Sequence, residues 1–153
     1  MQKAAHIIGT LFGIGYFPIA PGTAASLVTI FVLWFISPIS LPILIVAAIL
    51  FFFIGVPASI MCEKDWGTDP GRVVWDEMVG MMVSVAALPK HWIIFAAAFL
   101  LFRIFDVLKP FPINASQRLP HGWGVMIDDV IAAIYANILL QIWFQLIYPS
   151  FAS

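Results

Sequence analysis

From Leu41 to Cys62 the chain reads LPILIVAAILFFFIGVPASIMC, without a single charged side chain. As an α-helix rising 1.5 Å per residue this run reaches about 33 Å, enough to cross the ~30 Å hydrocarbon core of a bilayer. The rest of the chain is of the same kind. Of its 153 residues 63% are hydrophobic and 10% charged, where ordinary globular proteins carry about 25% charge. The expectation is an integral membrane protein of one domain, residues 1–153. A single cysteine, Cys62, excludes an intrachain disulfide, and three scattered histidines offer no zinc-type cluster. Lys3 and the following AAHIIGTLFGIGYF have the outline of a signal peptide, but His6 and the glycines at 9, 13 and 15 interrupt the apolar run, so a retained segment is expected.

Hydropathy and proline punctuation predict helices over 23–36, 41–62, 73–88, 90–109 and about 125–148, with prolines at the joints. The fold class is therefore all-α: a polytopic membrane helix bundle with about five transmembrane helices. The helices over 23–36 and 73–88 are short, about 21–24 Å long. Either the bilayer thins there, or their polar ends sit below the headgroups in a recess lined by protein. Residues 1–20, Gly-rich and weakly polar, fit an N-terminal interfacial or re-entrant segment. Trp and Tyr residues at 34, 66, 75, 92, 143 and 148 fit interfacial belts, and Asn137 fits an interhelical hydrogen bond.

Threading five spans sorts the charges. Lys3, Lys64, Arg72, Arg103, Lys109 and Arg118 fall on one side, Lys90 alone on the other. The positive-inside rule makes the first side cytoplasmic. Every acid falls there too: Glu63, Asp65, Asp69, Asp76, Glu77, Asp106, Asp128 and Asp129.

Four segments converge on that face: PGT (21–23), WDEMVG (75–80), FRIFDVLKP (102–110) and GVMIDD (124–129). Three of them open helices, whose free N–H groups and dipole favour anions. That preference accounts for Asp76 and for one of Asp128 and Asp129. It does not account for Asp106, in the last turn of its helix, where the dipole opposes a carboxylate. Arg103, three residues earlier on the same face, pairs with Asp106 or holds a phosphate with its fork of donors. Five carboxylates in a small bundle repel one another unless a cation lies among them, and oxygen-only ligands suit Mg²⁺ or Mn²⁺. Lys109, and also Arg72 and Lys64, complete a basic set, for which flanking charge and snorkelling to the headgroups are equally open. Carboxylate-held metal beside cations, at headgroup depth, suits chemistry on a phospholipid phosphate.

The segments GIGYFPIAPGTAASL (13–27), VVWDEMVGMMVS (73–84), FRIFDVLKPFPI (102–113) and GWGVMIDDVIAA (122–133) together resemble the phosphatidylglycerophosphatase A family, in order and over nearly the whole chain. The resemblance implies a Mg²⁺-dependent hydrolase that removes the terminal phosphate of phosphatidylglycerophosphate in the bilayer, making phosphatidylglycerol at the bacterial inner membrane. It implies a site built from PGT, Asp76–Glu77, the FRIFDVLKP stretch and Asp128–Asp129. On that basis Glu77, Asp106, Asp128 and Asp129 are expected to hold metal, directly or through water. Asp76 is expected behind them or as general base, with Asp76, Glu77 and Asp129 the catalytic set. Arg103 and Lys109 are expected to bind phosphate, and Thr23 to cap its helix or donate to a phosphate oxygen. Attack by water and transfer through an aspartyl phosphate both remain open.

A small ion- or proton-coupled transporter is the alternative, since it too would place acids in helices. It should carry some of them near the midplane, often with inverted repeats; here the charges stop within about two turns of one face and no repeat is visible. Nothing in the sequence points to nucleic acid, and nothing specifies a homo-oligomer.

Overall fold

The charge-free run forms α3, Leu41–Trp66, which continues past Cys62 to carry Glu63, Lys64 and Asp65 at its end. The structure, a computed structural model, describes residues 2–152, with side chains to Leu146. Within it lie α1 (Gln2–Gly9), α2 (Pro21–Ile36), α3, α4 (Trp75–Ser84), α5 (Trp92–Leu108), the one-turn α6 (Ile113–Ser116) and α7 (Trp123–Ala152), with no strand among the described residues. α3 and the Trp123–Leu146 part of α7 are long and apolar enough to cross a membrane; α2 is apolar but shorter.

The long helices are apolar outside and small inside. α3 exposes Ile43, Leu50 and Phe53 while burying Ala48, Gly55, Ala58 and Ser59; α7 buries Ala132, Ala133 and Ala136. Small buried residues let backbones approach closely, which is how helices associate without a hydrophobic driving force between them. At Gly55 an added Cβ would strike Met126 and Trp75, so α3, α4 and α7 meet there without room for a side chain.

α4 is the hub. It packs against α7, α2, α3 and α5, and most of its length is buried. Its observed end at Ser84 falls short of the expected 88, and the cause lies on α7. Asn137 Nδ2 donates to the carbonyls of Ser84 (3.0 Å) and Ala86 (2.8 Å), and Gln141 Nε2 donates to Ala86 O (3.3 Å). Carbonyls at a helix end need partners when no water reaches them. Trp75, expected in an interfacial belt, is instead buried and donates its indole N–H to Phe51 O on α3 at 2.8 Å; the side chain of Tyr148 lies outside the described residues.

The threading of the ends holds. Lys90 Nζ donates to Ser37 O at 2.8 Å and lies 5.0 Å from the Trp34 ring centroid, so the α2–α3 and α4–α5 connections share one end of the bundle. At the other end α1 packs along α3, with His6 Nε2 and Gln2 Nε2 both 2.7 Å from the Asp65 carboxylate. α1 has 8 residues, about 12 Å, too short to span. α7 runs past Pro149, which was expected to close it. A proline near a helix end removes one hydrogen bond from a turn that has few neighbours to disrupt.

Replacing Asn137 with leucine leaves the Ser84 and Ala86 carbonyls short of donors. Stability should fall by about 1–3 kcal/mol, seen as a lower midpoint in thermal unfolding of detergent-purified protein followed by tryptophan fluorescence. An unchanged midpoint would mean that these bonds do not end α4.

Candidate active site

Four helix ends bring the charged residues together. Asp76 and Glu77 stand in the first turn of α4, Arg103 and Asp106 in the last two turns of α5, Lys109 at its C-cap, and Asp128 and Asp129 near the start of α7. The five carboxylates are at most 9% exposed. Of the two alternatives the short helices left open, a lining of protein is what surrounds these acids: α4 begins inside the bundle. One oxygen from each of Asp76, Glu77 and Asp129 lies within 4.8 Å of the others, and the same holds for Asp106, Asp128 and Asp129. Asp129 belongs to both trios.

The chain supplies two cations. Arg103 Nη1 is 2.7 Å from Asp106 Oδ2, off the angle a hydrogen bond needs, and 3.6 Å from Glu77 Oε1. Lys109 Nζ donates to Asp128 Oδ2 at 2.5 Å and lies 3.6 Å from Asp106 Oδ1. Burial opposes the charge on Lys109, but the bond and field of Asp128, with Asp106 and Asp129 behind it, outweigh burial and hold its pKa above the ordinary lysine value. Asp128 Oδ1 also accepts the Asp129 backbone N–H at 3.0 Å.

Buried polar atoms without a hydrogen-bond partner gather here. Among the described residues they are Asp76 Oδ1, Glu77 Oε2, Asp129 Oδ2, Arg103 Nε and Nη1, and, elsewhere, Ser59 Oγ. A buried group left unpaired costs about 1–3 kcal/mol, more when charged. Acceptors without donors beside donors without acceptors fit a cation together with an anion, and all the clustered acceptors are carboxylate oxygens, the donor set of Mg²⁺. The residues present fit that ion.

α2 closes the site. Pro21 takes the first helical position, and Gly22 and Thr23 have N–H groups with no acceptor inside the helix. An added Cβ at Gly22 would run into the Glu77 carboxylate and reach 3.2 Å from Arg103 Nη1, so this glycine lets the α2 backbone lie against both. Sequence reasoning included Gly22 in the site only as part of the PGT motif and gave it no role of its own. Thr23 does not cap α2, because the cap position is Ala20 and no side chain bonds there. It sits half-buried in the first turn. Arg72 lies instead over the rings of Tyr16 (5.8 Å) and Trp66 (5.9 Å). At Gly80 a Cβ would meet the Phe102 ring at 2.6 Å, so α4 and α5 touch directly beneath the acids.

An all-helical protein with spanning-length apolar helices and a buried acidic pocket lined by its own cations defines the class: a membrane-type bundle with a polar site at one end. The chain belongs to the phosphatidylglycerophosphatase A family, whose model it matches over residues 7–144. It is 43% identical to a Haemophilus influenzae protein named phosphatidylglycerophosphatase A, over 90% of this chain and 89% of that one. An Escherichia coli protein of the same name is 38% identical, over 88% and 80%. A Bacteroides thetaiotaomicron protein named "Putative phosphatidylinositol-3-phosphatase" is 42% identical, over 89% and 91%. No solved structure matches.

Alanine at Gly22 should displace Glu77 and Arg103 and lower stability by about 1–3 kcal/mol, the usual cost of overpacking. Alanine at Gly71, where nothing lies within 4 Å, is the control and should leave the unfolding midpoint in place. Equal midpoints for both variants would show that α2 yields freely at the site.

Proposed function

We propose that this chain is a Mg²⁺-dependent phosphatase that hydrolyses the terminal phosphate of phosphatidylglycerophosphate, leaving phosphatidylglycerol in the bilayer. The observation that carries this reading is the burial of carboxylate oxygens without a hydrogen-bond partner beside the Arg103 guanidinium, whose Nε has no acceptor, in a chain of this family. The protein is one multi-pass domain of the bacterial inner membrane. α3 and α7 cross outright, α2 and α5 at reduced length, and α4 makes its pass inside the bundle, where protein surrounds it. The carboxylate end faces the cytoplasm, as the distribution of lysine and arginine favours.

Mg²⁺, when bound, supplies Lewis-acid polarisation of the phosphoryl oxygens. Asp76, Glu77 and Asp129 would hold it, with Asp106 and Asp128 close enough to act through water. Arg103, through Nε and Nη1, takes phosphoryl oxygens, helped by the N–H groups of Gly22 and Thr23 and the Thr23 hydroxyl at the positive end of α2. Lys109 faces the phosphate from the α7 side. Asp76 would also serve as the base, a carboxylate oxygen accepting the proton of the attacking water. The water oxygen bonds to phosphorus as the phosphorus–oxygen bond to glycerol breaks, and the glycerol oxygen takes back the proton that Asp76 accepted, so that inorganic phosphate and a free hydroxyl result.

A second substrate has one specific observation behind it. The Bacteroides relative is named for a phosphoinositide, also a lipid with a phosphate monoester on a polyol headgroup, to which the same site chemistry applies. The names of the other two relatives favour the glycerophosphate headgroup. None of the relatives is named as a transporter, and the pairing of the acids with Arg103 and Lys109 at one end gives ion transport no support.

Phosphate release is the direct test. Detergent-purified protein is given phosphatidylglycerophosphate, phosphatidylinositol 3-phosphate, phosphatidic acid or a soluble phosphomonoester, with Mg²⁺ or excess EDTA. Release should be fastest from phosphatidylglycerophosphate and stop with EDTA. Asp129→Asn should slow it by about 10²–10³-fold, the scale of losing one electrostatic stabiliser. Release that persists in EDTA, or none from any lipid by folded protein with Mg²⁺, would refute the reading.

A further inference from the structure

The two carboxylate trios share Asp129 but differ in what the chain already provides. In the first, Asp76, Glu77 and Asp129 each keep a buried oxygen with no partner. In the second, both Asp128 oxygens are engaged, Oδ2 by the Lys109 ammonium and Oδ1 by the Asp129 N–H. Asp106 has Lys109 Nζ 3.6 Å from Oδ1 and Arg103 Nη1 2.7 Å from Oδ2. No oxygen of Asp106 or Asp128 is among the buried atoms that lack a partner.

Two carboxylate sites joined by a shared ligand are the ground plan of two-metal phosphoryl-transfer enzymes, where ions about 3.5–4 Å apart clamp the reacting group. Here the second position already holds a positive charge that belongs to the chain. The backbone is shaped to deliver it. Lys109 caps α5 in the left-handed conformation (φ 44°, ψ 56°), its N–H bonded to Phe105 O. A residue with a Cβ is strained there, where glycine is the usual occupant. The side chain then reaches across to α7, 19 residues further along the chain.

We infer that the Lys109 ammonium is a built-in second cation: the chain binds one divalent ion, on Asp76, Glu77 and Asp129, while Lys109 Nζ takes the position between Asp106 and Asp128 that a second ion would occupy. The inference rests on the metal reading above and goes beyond it by fixing the stoichiometry and giving Lys109 a reason to be a lysine. An ammonium has three donors and no fixed coordination geometry, so it serves two carboxylates and still faces an incoming phosphoryl oxygen.

Metal content reads this out without turnover. Purified wild-type protein, Lys109→Met and Lys109→Arg are equilibrated with Mn²⁺ by dialysis, and bound metal per chain is measured alongside the electron paramagnetic resonance spectrum. Wild type and Lys109→Arg should bind one ion with the spectrum of an isolated Mn²⁺. Lys109→Met, checked for an intact cooperative unfolding transition, should bind two with a spin-coupled spectrum. Two ions in wild type would overturn the inference whatever the variants do, as would a single ion in folded Lys109→Met. No bound ion in wild type would remove the metal reading itself, and this inference with it.

Discussion

Mutual repulsion among buried carboxylates is the constraint around which this molecule is built. Two charges 4.8 Å apart repel by roughly 3.5 kcal/mol at the effective dielectric constant of about 20 that suits protein sites. A helix N-terminus returns about 0.3–1 kcal/mol to a nearby carboxylate, up to ~2 in favourable buried geometry. Dipoles therefore fail to account for Asp76, Glu77, Asp128 and Asp129, and for Asp106 the dipole has the wrong sign. The chain answers in part with Arg103 and Lys109, three residues either side of Asp106. Five acids against two cations leave three carboxyl groups without a cation of the chain's own, and the unpartnered oxygens belong to Asp76, Glu77 and Asp129 rather than to the two acids beside Lys109 Nζ.

The fold holds that cluster by making α4 unlike its neighbours. A helix of spanning length would carry its first turn out to water. α4 is 10 residues long and lies within the bundle, so its first turn stays inside, with Asp76 and Glu77 buried among α2, α5 and α7. Its far end is finished by Asn137 and Gln141. Gly22 and Gly80 let the surrounding helices close to contact. Each site side chain thus stands on a helix or at its cap, where packing fixes its direction better than a loop would.

Much of this was legible in the sequence because polarity in an apolar chain is expensive and so is placed for a reason. Asp128–Asp129 at the head of an apolar helix, and Asp106 against its helix dipole, needed partners, and their partners could be sought among few charges. The same scarcity gave the order of the ends and the interhelical role of Asn137. What stayed hidden depends on contacts between distant segments. Hydropathy sees no difference between a helix that ends at Ser84 and one that runs to 88, because the cause is a side chain on α7. Thr23 followed the capping rule in type but sits past the cap, which falls on Ala20. Gly22 is silent in any hydropathy or charge count, since its contribution is the absence of a Cβ beside Glu77. Arg72 carries the charge a phosphate site wants, yet tertiary packing sets it on two aromatic rings.

The same scarcity bears on why relatives so alike carry different substrate names. The groups suited to a phosphate, Arg103, Lys109 and the first turn of α2, are locked to the carboxylates by distances of a few ångströms, so changing any of them disturbs the charge balance of the whole cluster. The segments above the cluster are under no such constraint. Asp69, Gln117, Arg118 and His121 line a cavity of about 260 Å³ in the connections before α4 and α7. The side chains of Asp69 and Gln117 meet in an exposed hydrogen bond, Gln117 Nε2 donating to Asp69 Oδ2 at 3.3 Å. Loss of the Asp69–Gln117 contact costs little stability, because exposed polar contacts are worth at most about 1 kcal/mol. The charged groups are thus held by the buried helix ends, while the exposed polar contacts of those connections leave them freer to vary.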